Sequence, residues 1–199
     1  MYTHGYITPV MYSDISGYAP EWLKDAFRFV SGVVITVVGA ALTLTTLPLF
    51  LVPGLSSLPL LLLNTTLYGT MLAASPFSST IKSDMNRISW NPFNGDANAV
   101  ASSKDISFYK GVFVFRYGSS GGGGISFGII GLGRGASVST VMHEYGHHKQ
   151  QRFMGLAFYT PIVAIPSLIS AATSTYGVHA NRWYERWATD WGNRGWIWW

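Results

Sequence analysis

Apolar positions along this chain gather into long runs separated by polar punctuation, and each run predicts a different element. From Phe29 to Ile81 there is no charged residue. Within that run, Phe29 to Leu47 and Ser57 to Ala74 are each near the length that crosses a bilayer, and Pro48, Pro53, Gly54 and Pro59 interrupt it between them. The pattern predicts two helices in a hairpin. Thr43, Thr45, Thr46, Asn64, Thr65 and Thr66 moderate its apolar character, while glycine and alanine favour close helix packing. Lys24 and Arg28 before it, with Lys82 and Arg87 after it, place both ends on one side of a membrane. Membrane insertion is the expectation, and a buried or translocation-associated hairpin is the alternative.

Residues 82 to 105 change character, with Ser, Asn, Asp, Gly and Pro dominant and Asn91-Pro92-Phe93-Asn94-Gly95-Asp96 a strong turn signal. A domain boundary is expected there. Ile106 to Tyr117 is dense in β-branched and aromatic residues, and Ile125 to Leu132 is a second such run beyond Ser119-Ser120 and four glycines. Together they predict a β-hairpin, whose last strand precedes a helix and is placed to line a substrate cleft. The glycines do not form a phosphate loop, because Gly131-Leu132-Gly133-Arg134-Gly135 lacks both the required spacing and a Gly-Lys-Ser/Thr ending. Gly155 to Thr173 is apolar again but carries Pro161 and Pro166, which suits a bent core helix or a membrane-contacting segment equally. Six of the eight tryptophans come after it, ending Trp196-Ile197-Trp198-Trp199, as either an interfacial cluster or an aromatic plug.

Composition narrows this picture. A chain of 199 residues that is 48% apolar and only 11% charged makes one or at most two compact units. The expected fold class is α+β, divided into a leader over 1–20, the apolar hairpin over 21–81 and a small domain over 82–199. The leader has no positive stretch followed by a short apolar core, so it is not read as a signal peptide. Cysteine is absent, which removes disulfides and thiolate metal sites. The net charge of +4 is spread without a Lys/Arg cluster, so no nucleic-acid partner is expected.

The chemistry concentrates in His143-Glu144-Tyr145-Gly146-His147, the H-E-x-x-H pattern. On a helix it puts both imidazoles on one face, one turn apart, aimed at a single metal ion. Glu144 then stands beside the metal, where its carboxylate can take a proton from a water whose pKa the metal lowers. Ser137 suits the N-cap, Val138, Val141 and Met142 give an apolar side, and Gly155 suits the end of the helix. Gly146 costs helix stability, roughly 1 kcal/mol against Ala, so a close backbone neighbour is expected there. After Glu144 the only further carboxylates are Glu185 and Asp190, and the only distant histidine is His179. Glu185 is the expected third ligand. In a helix it shares one face with Ala188, Thr189 and Gly192, small residues that admit a neighbour, while Trp183, Trp187 and Trp191 lie opposite. Two histidines and one glutamate around an open position fit zinc best. Tyr176, His179 and Tyr184 are candidate oxyanion donors through their proximity to Glu185 in sequence.

The blocks Asn91 to Asp96, Ser107-Phe108-Tyr109-Lys110-Gly111, His143 to His147 with Gln150, Gly155, and Trp183-Tyr184-Glu185-Arg186-Trp187-Ala188 resemble, in order and spacing, the zincin metallopeptidase domains at the C-termini of bacterial Rhs-type polymorphic toxins. The resemblance covers about residues 90 to 192. Thr8 to Tyr18 resembles the segment that closes the Rhs core, with Asp14-Ile15-Ser16-Gly17 in place of Asp-Pro-x-Gly. It implies His143, His147 and Glu185 as zinc ligands, Glu144 as general base, a peptide or protein substrate, a secreted or delivered bacterial effector, and an immunity protein as partner. The chain departs from the gluzincin pattern Glu-x-x-Ala-Asp by carrying Thr189 where that Asp would stand. Asp190 would then have to reach in to orient a ligand histidine, or leave the role unfilled. The alternatives are a membrane-embedded metalloprotease and a non-enzymatic, pore-forming tail built on the hairpin.

Overall fold

The computed structural model describes residues 19–118 and 120–194. Nearly all of the expected leader, and the closing Trp196, Trp198 and Trp199, lie outside them. The described chain mixes helix and sheet and begins with apolar helices: α1 (Glu21–Thr46), a 3-10 turn (Leu47–Leu51) and α2 (Ser57–Ala74). Glycine sets how closely the two helices approach. A Cβ at Gly32 would overlap the backbone of Ala73, and one at Gly69 would stand 2.7 Å from the Thr36 nitrogen. Hydroxyls of Thr36, Thr43, Thr66 and Thr70 donate to carbonyls four residues earlier, so these hydroxyls are satisfied within their own helices.

The hairpin is asymmetric. The outer face of α1 leaves Phe27, Val30, Val34, Val37 and Leu44 more than half exposed. One face of α2 instead joins the core, where Leu60 and Asn64 are buried. The Asn64 amide donates to the carbonyls of Leu60 (2.7 Å) and Gly128 (3.1 Å), and its Oδ1 accepts from the Phe113 N–H at 2.6 Å. At the charged end, Lys82 reaches Asp25 at 3.0 Å and Glu21 at 3.2 Å, tying α1 to α3 (Ser79–Arg87). The polar stretch after it holds α4 (Ala97–Ala101). There the buried Asp84 carboxylate accepts from the N–H groups of Lys104, Asp105 and Ile106, which anchors the start of the sheet.

That sheet differs from the single hairpin expected. Each apolar run is a hairpin in itself: β1 (Ile106–Tyr109) with β2 (Val112–Tyr117), and β3 (Gly124–Phe127) with β4 (Ile129–Gly133). Lys110 and Gly111, both at positive φ, make the first turn, and Gly128 at φ 78° makes the second. The strand order is β1-β2-β4-β3, with β2 and β4 parallel. The strand preceding the helix is therefore interior, and β1 and β3 form the two edges. The wrong expectation came from reading each run as one strand, which overlooked turn residues inside it.

Next come α5 (Val138–Tyr159), a π-helical turn (Thr160–Ala164), α6 (Ile165–Thr173), α7 (Tyr176–Ala180) and α8 (Trp183–Asn193). Ser137 Oγ accepts from the Thr140 N–H at the N-cap of α5. The helix breaks at Gly155 (φ 69°, ψ 160°) rather than ending there, because the backbone of Leu51 to Pro53 lies against that residue. Among the described residues, three helical runs, Glu21–Leu51, Ser57–Phe77 and Val138–Thr173, are long and apolar enough to cross a membrane by length and composition. In the third, the part before Gly155 holds the polar, buried residues of the site, so its apolar part begins beyond that glycine.

Candidate metal centre

The site lies where α5 meets α8. Gly146 and Gly192 make that meeting possible: a Cβ on Gly146 would overlap the Ala188 carbonyl, and one on Gly192 the Met142 carbonyl. The small residues of α8 thus allow the approach their helical spacing predicts. His143 Nε2 and His147 Nε2 both stand 3.0 Å from Glu185 Oε2. One ligand atom from each of these three residues can be chosen so that all lie within 4.8 Å of one another. Tetrahedral bonds of about 2.0–2.1 Å separate neighbouring ligand atoms by about 3.3 Å, so the two 3.0 Å separations suit a small metal ion without selecting which one. His147 and Glu185 are almost fully buried, whereas the His143 side chain is 25% exposed and marks the open side.

The opposite ring nitrogens carry the test of fit. Gln150 Nε2 donates to the Tyr184 carbonyl at 2.9 Å, which fixes the amide so that Oε1 faces His147 Nδ1 at 2.8 Å. That oxygen can only accept, so Nδ1 carries the proton. A neutral His147 then points its Nε2 lone pair at a carboxylate oxygen, an arrangement that calls for a cation between them: a proton or a metal. The His143 ring is oriented by Thr189, whose Oγ1 lies 2.9 Å from His143 Nδ1. The threonine itself occupies the role for which a carboxylate was expected. Asp190 is exposed and makes no such contact.

Glu144 lies beside this cluster and is buried, because β3 crosses it at Gly124; a Cβ there would overlap the Glu144 side chain. Burial pushes the Glu144 carboxyl up to about 7; the charge of Glu185 adds to this, and that of His143 opposes it. Burial also acts to raise Glu185. Its hydrogen bonds with His143 and His147, and the charge of His147, outweigh that and hold it well below the usual carboxylate range.

Of the three candidate oxyanion donors, His179 alone stands at the site, with Nε2 3.7 Å from Glu185 Oε1. Tyr176 is exposed, and the Tyr184 hydroxyl donates to the Pro166 carbonyl. Sequence reasoning missed the covering role of Gly124 and the orienting role of Thr189. It also missed Tyr159, buried and donating to the Ser126 carbonyl of β3 at 3.2 Å. Gln150 alone had a readable signal, lying one helical turn after His147. No protein-family model, curated protein or solved structure matches this chain.

Proposed function

We propose that this chain is a zinc-dependent peptidase, with His143, His147 and Glu185 as ligands and Glu144 as general base. The observation that carries the reading is the convergence of two imidazoles on one carboxylate oxygen, with the Nδ1–H of His147 committed elsewhere. A divalent cation held there supplies Lewis acidity, lowering the pKa of a water and polarising a carbonyl. Glu144, adjacent in sequence to the first ligand and poised near neutrality, takes the water's proton and passes it to the leaving amine. Of the three candidate oxyanion donors, His179, with Nε2 3.7 Å from Glu185 Oε1, is the one near enough to meet negative charge developing on the carbonyl oxygen. The free edge of β3, with Ile125 and Phe127 half exposed, offers an extended peptide a strand to pair with.

The exposed face of α1 supports membrane contact by the hairpin. With the Rhs-type resemblance, the chain reads as the effector tail of a delivered bacterial toxin that an immunity protein neutralises. A membrane-embedded peptidase would draw its third ligand from an Asp on a later apolar helix, and Asp190 does not fit that role. Elemental analysis of the full chain tests the site. About one zinc per chain is expected in the wild type and in Glu144→Gln, and little in His147→Ala or Glu185→Ala. Glu144→Gln should lose hydrolysis of a peptide library; equal hydrolysis would sink the mechanism.

A further inference from the structure

Exposed apolar surface is not confined to the hairpin. Beyond Gly155, the side chains of Phe158, Ile162, Ile165, Leu168 and Ile169 are 41 to 63% exposed, and no charged residue occurs between Arg152 and Arg182. This segment meets the turn of the hairpin. The Gly54 N–H donates to the Phe153 carbonyl at 3.1 Å, and the Ser56 hydroxyl to the Arg152 carbonyl at 2.8 Å. A groove lined by Pro53, Gly54, Phe153, Met154, Phe158 and Ile162 joins the two. Apolar surface therefore continues from α1, over the exposed Leu51, Val52 and Leu55, to Phe158 and Leu168.

We propose that this band is one membrane-contacting surface whose occupant is the acyl region of a lipid bilayer, and that α6 and the bend before it belong to it as much as the hairpin does. Soluble monomers rarely expose contiguous apolar patches beyond a few hundred Å², and the 26 residues of α1 alone extend about 39 Å. The hydroxyls of Thr36, Thr43, Thr46 and Thr173 donate within their own helices, which suits hydrocarbon and gives a protein partner little to recognise. Aromatic and cationic residues border the band, as they do at membrane interfaces. Trp22 and Lys24 lie in the first turn of α1, and Trp187 and Trp191 pack on Phe153 where the groove joins the two apolar segments, on a helix that also carries the exposed Arg186. Phe153 is six residues, about 9 Å along the helix, from His147. Granted the peptidase reading, the substrate is then a polypeptide segment held close to a bilayer surface; the membrane contact itself does not depend on that reading.

The absence of cysteine makes the test direct. Val37→Cys, Leu168→Cys and Lys104→Cys, each in the full chain and labelled with a polarity-sensitive fluorophore, would be titrated with phosphatidylcholine vesicles. The probes at Val37 and Leu168 should shift to the blue over the same lipid range, with Lys104 unchanged. A shift at Val37 alone would assign the contact to the hairpin and overturn the proposal. No shift at either position would make the occupant a protein and overturn it too. Leu168→Glu should weaken vesicle partition at least tenfold, and unchanged partition counts against the surface. Zinc content measured on the same samples keeps the two readings separable, since its absence alongside the expected shifts removes the peptidase and leaves the membrane surface.

Discussion

The α1–α2 hairpin and the α5–α8 pair both close on glycine, Gly32 and Gly69 in one and Gly146 and Gly192 in the other, yet they enclose opposite chemistry. Between α1 and α2 lie small and apolar groups, and the hydroxyls there bond mostly within their own helices. Between α5 and α8 lie two histidines and a carboxylate whose atoms converge to 3.0 Å. Close backbone approach by itself has no chemical meaning. It becomes a site only where short, rigid ligand side chains must meet, and there the tolerance for error is smallest.

The largest effect should therefore come from a methyl group placed in the α5–α8 seam. Gly146→Ala drives its Cβ into the Ala188 carbonyl, which belongs to backbone and cannot swing away. A loss of about 3 kcal/mol is expected, with zinc stoichiometry falling well below one per chain. Gly39→Ala meets the Thr66 hydroxyl at 2.6 Å, a side-chain atom that can yield, and the gain in helix propensity offsets part of the cost. Thermal melting of both variants decides the contrast. Equal losses would mean that the Thr66 side chain yields no more readily than the Ala188 backbone does.

Asn64→Leu should come next. It strips the buried Phe113 N–H and Gly128 C=O of their side-chain partners, at about 2 kcal/mol, read as a lower urea midpoint. A neutral result would show that the Asn64 amide does not help hold α2 against the sheet. A smaller effect on stability but a clear one on metal should come from the orienting residues. Gln150→Leu is expected to weaken zinc binding about 100-fold and Thr189→Val about 10-fold, because Gln150 is buried and fixes a tautomer whereas Thr189 is exposed. Competition with a chromophoric chelator gives both numbers. The reverse order would move the orienting function to the His143 side.

These differences mark what the sequence could express. The hairpin was legible because absence of charge over fifty residues is a one-dimensional signal, and the helix that carries His143, Glu144 and His147 was legible because those residues are close in the chain. Glu185 was reachable by elimination and by the helical spacing of Ala188 and Gly192. The sheet order was not legible, since the parallel pairing of β2 with β4 joins strands separated by a hairpin turn and a crossing chain. Nor was the Thr189 contact, which depends on the crossing of α5 and α8 bringing a hydroxyl to where a longer carboxylate was expected. The buried Asp84 likewise sat in a stretch whose composition suggested only loop.

The last contrast lies within α5 and is read as a slope in the metal-free chain. Glu144 is raised by burial to about 7 from the ordinary 4.5, so the folded chain keeps a proton that the unfolded chain releases; this contribution is present below pH 4.5 and is lost as pH rises through about 7. His148 is depressed to about 3 from the ordinary 6.5, by burial first and the charge of Arg152 second, so its contribution is present above pH 6.5 and is lost as pH falls toward 3. Between pH 4.5 and 6.5 the two oppose each other, each limited to about 1.4 kcal/mol per pH unit, and the wild-type profile should be shallow. Glu185, held low, titrates beneath this window. Glu144→Gln removes one limb, so stability should then fall steadily as pH drops from 6.5 to 4.5. Urea midpoints at constant ionic strength measure it. A profile as shallow as the wild type would mean that the folded chain admits a proton at His148, and that the face of α5 turned away from the ligands is not sealed from water.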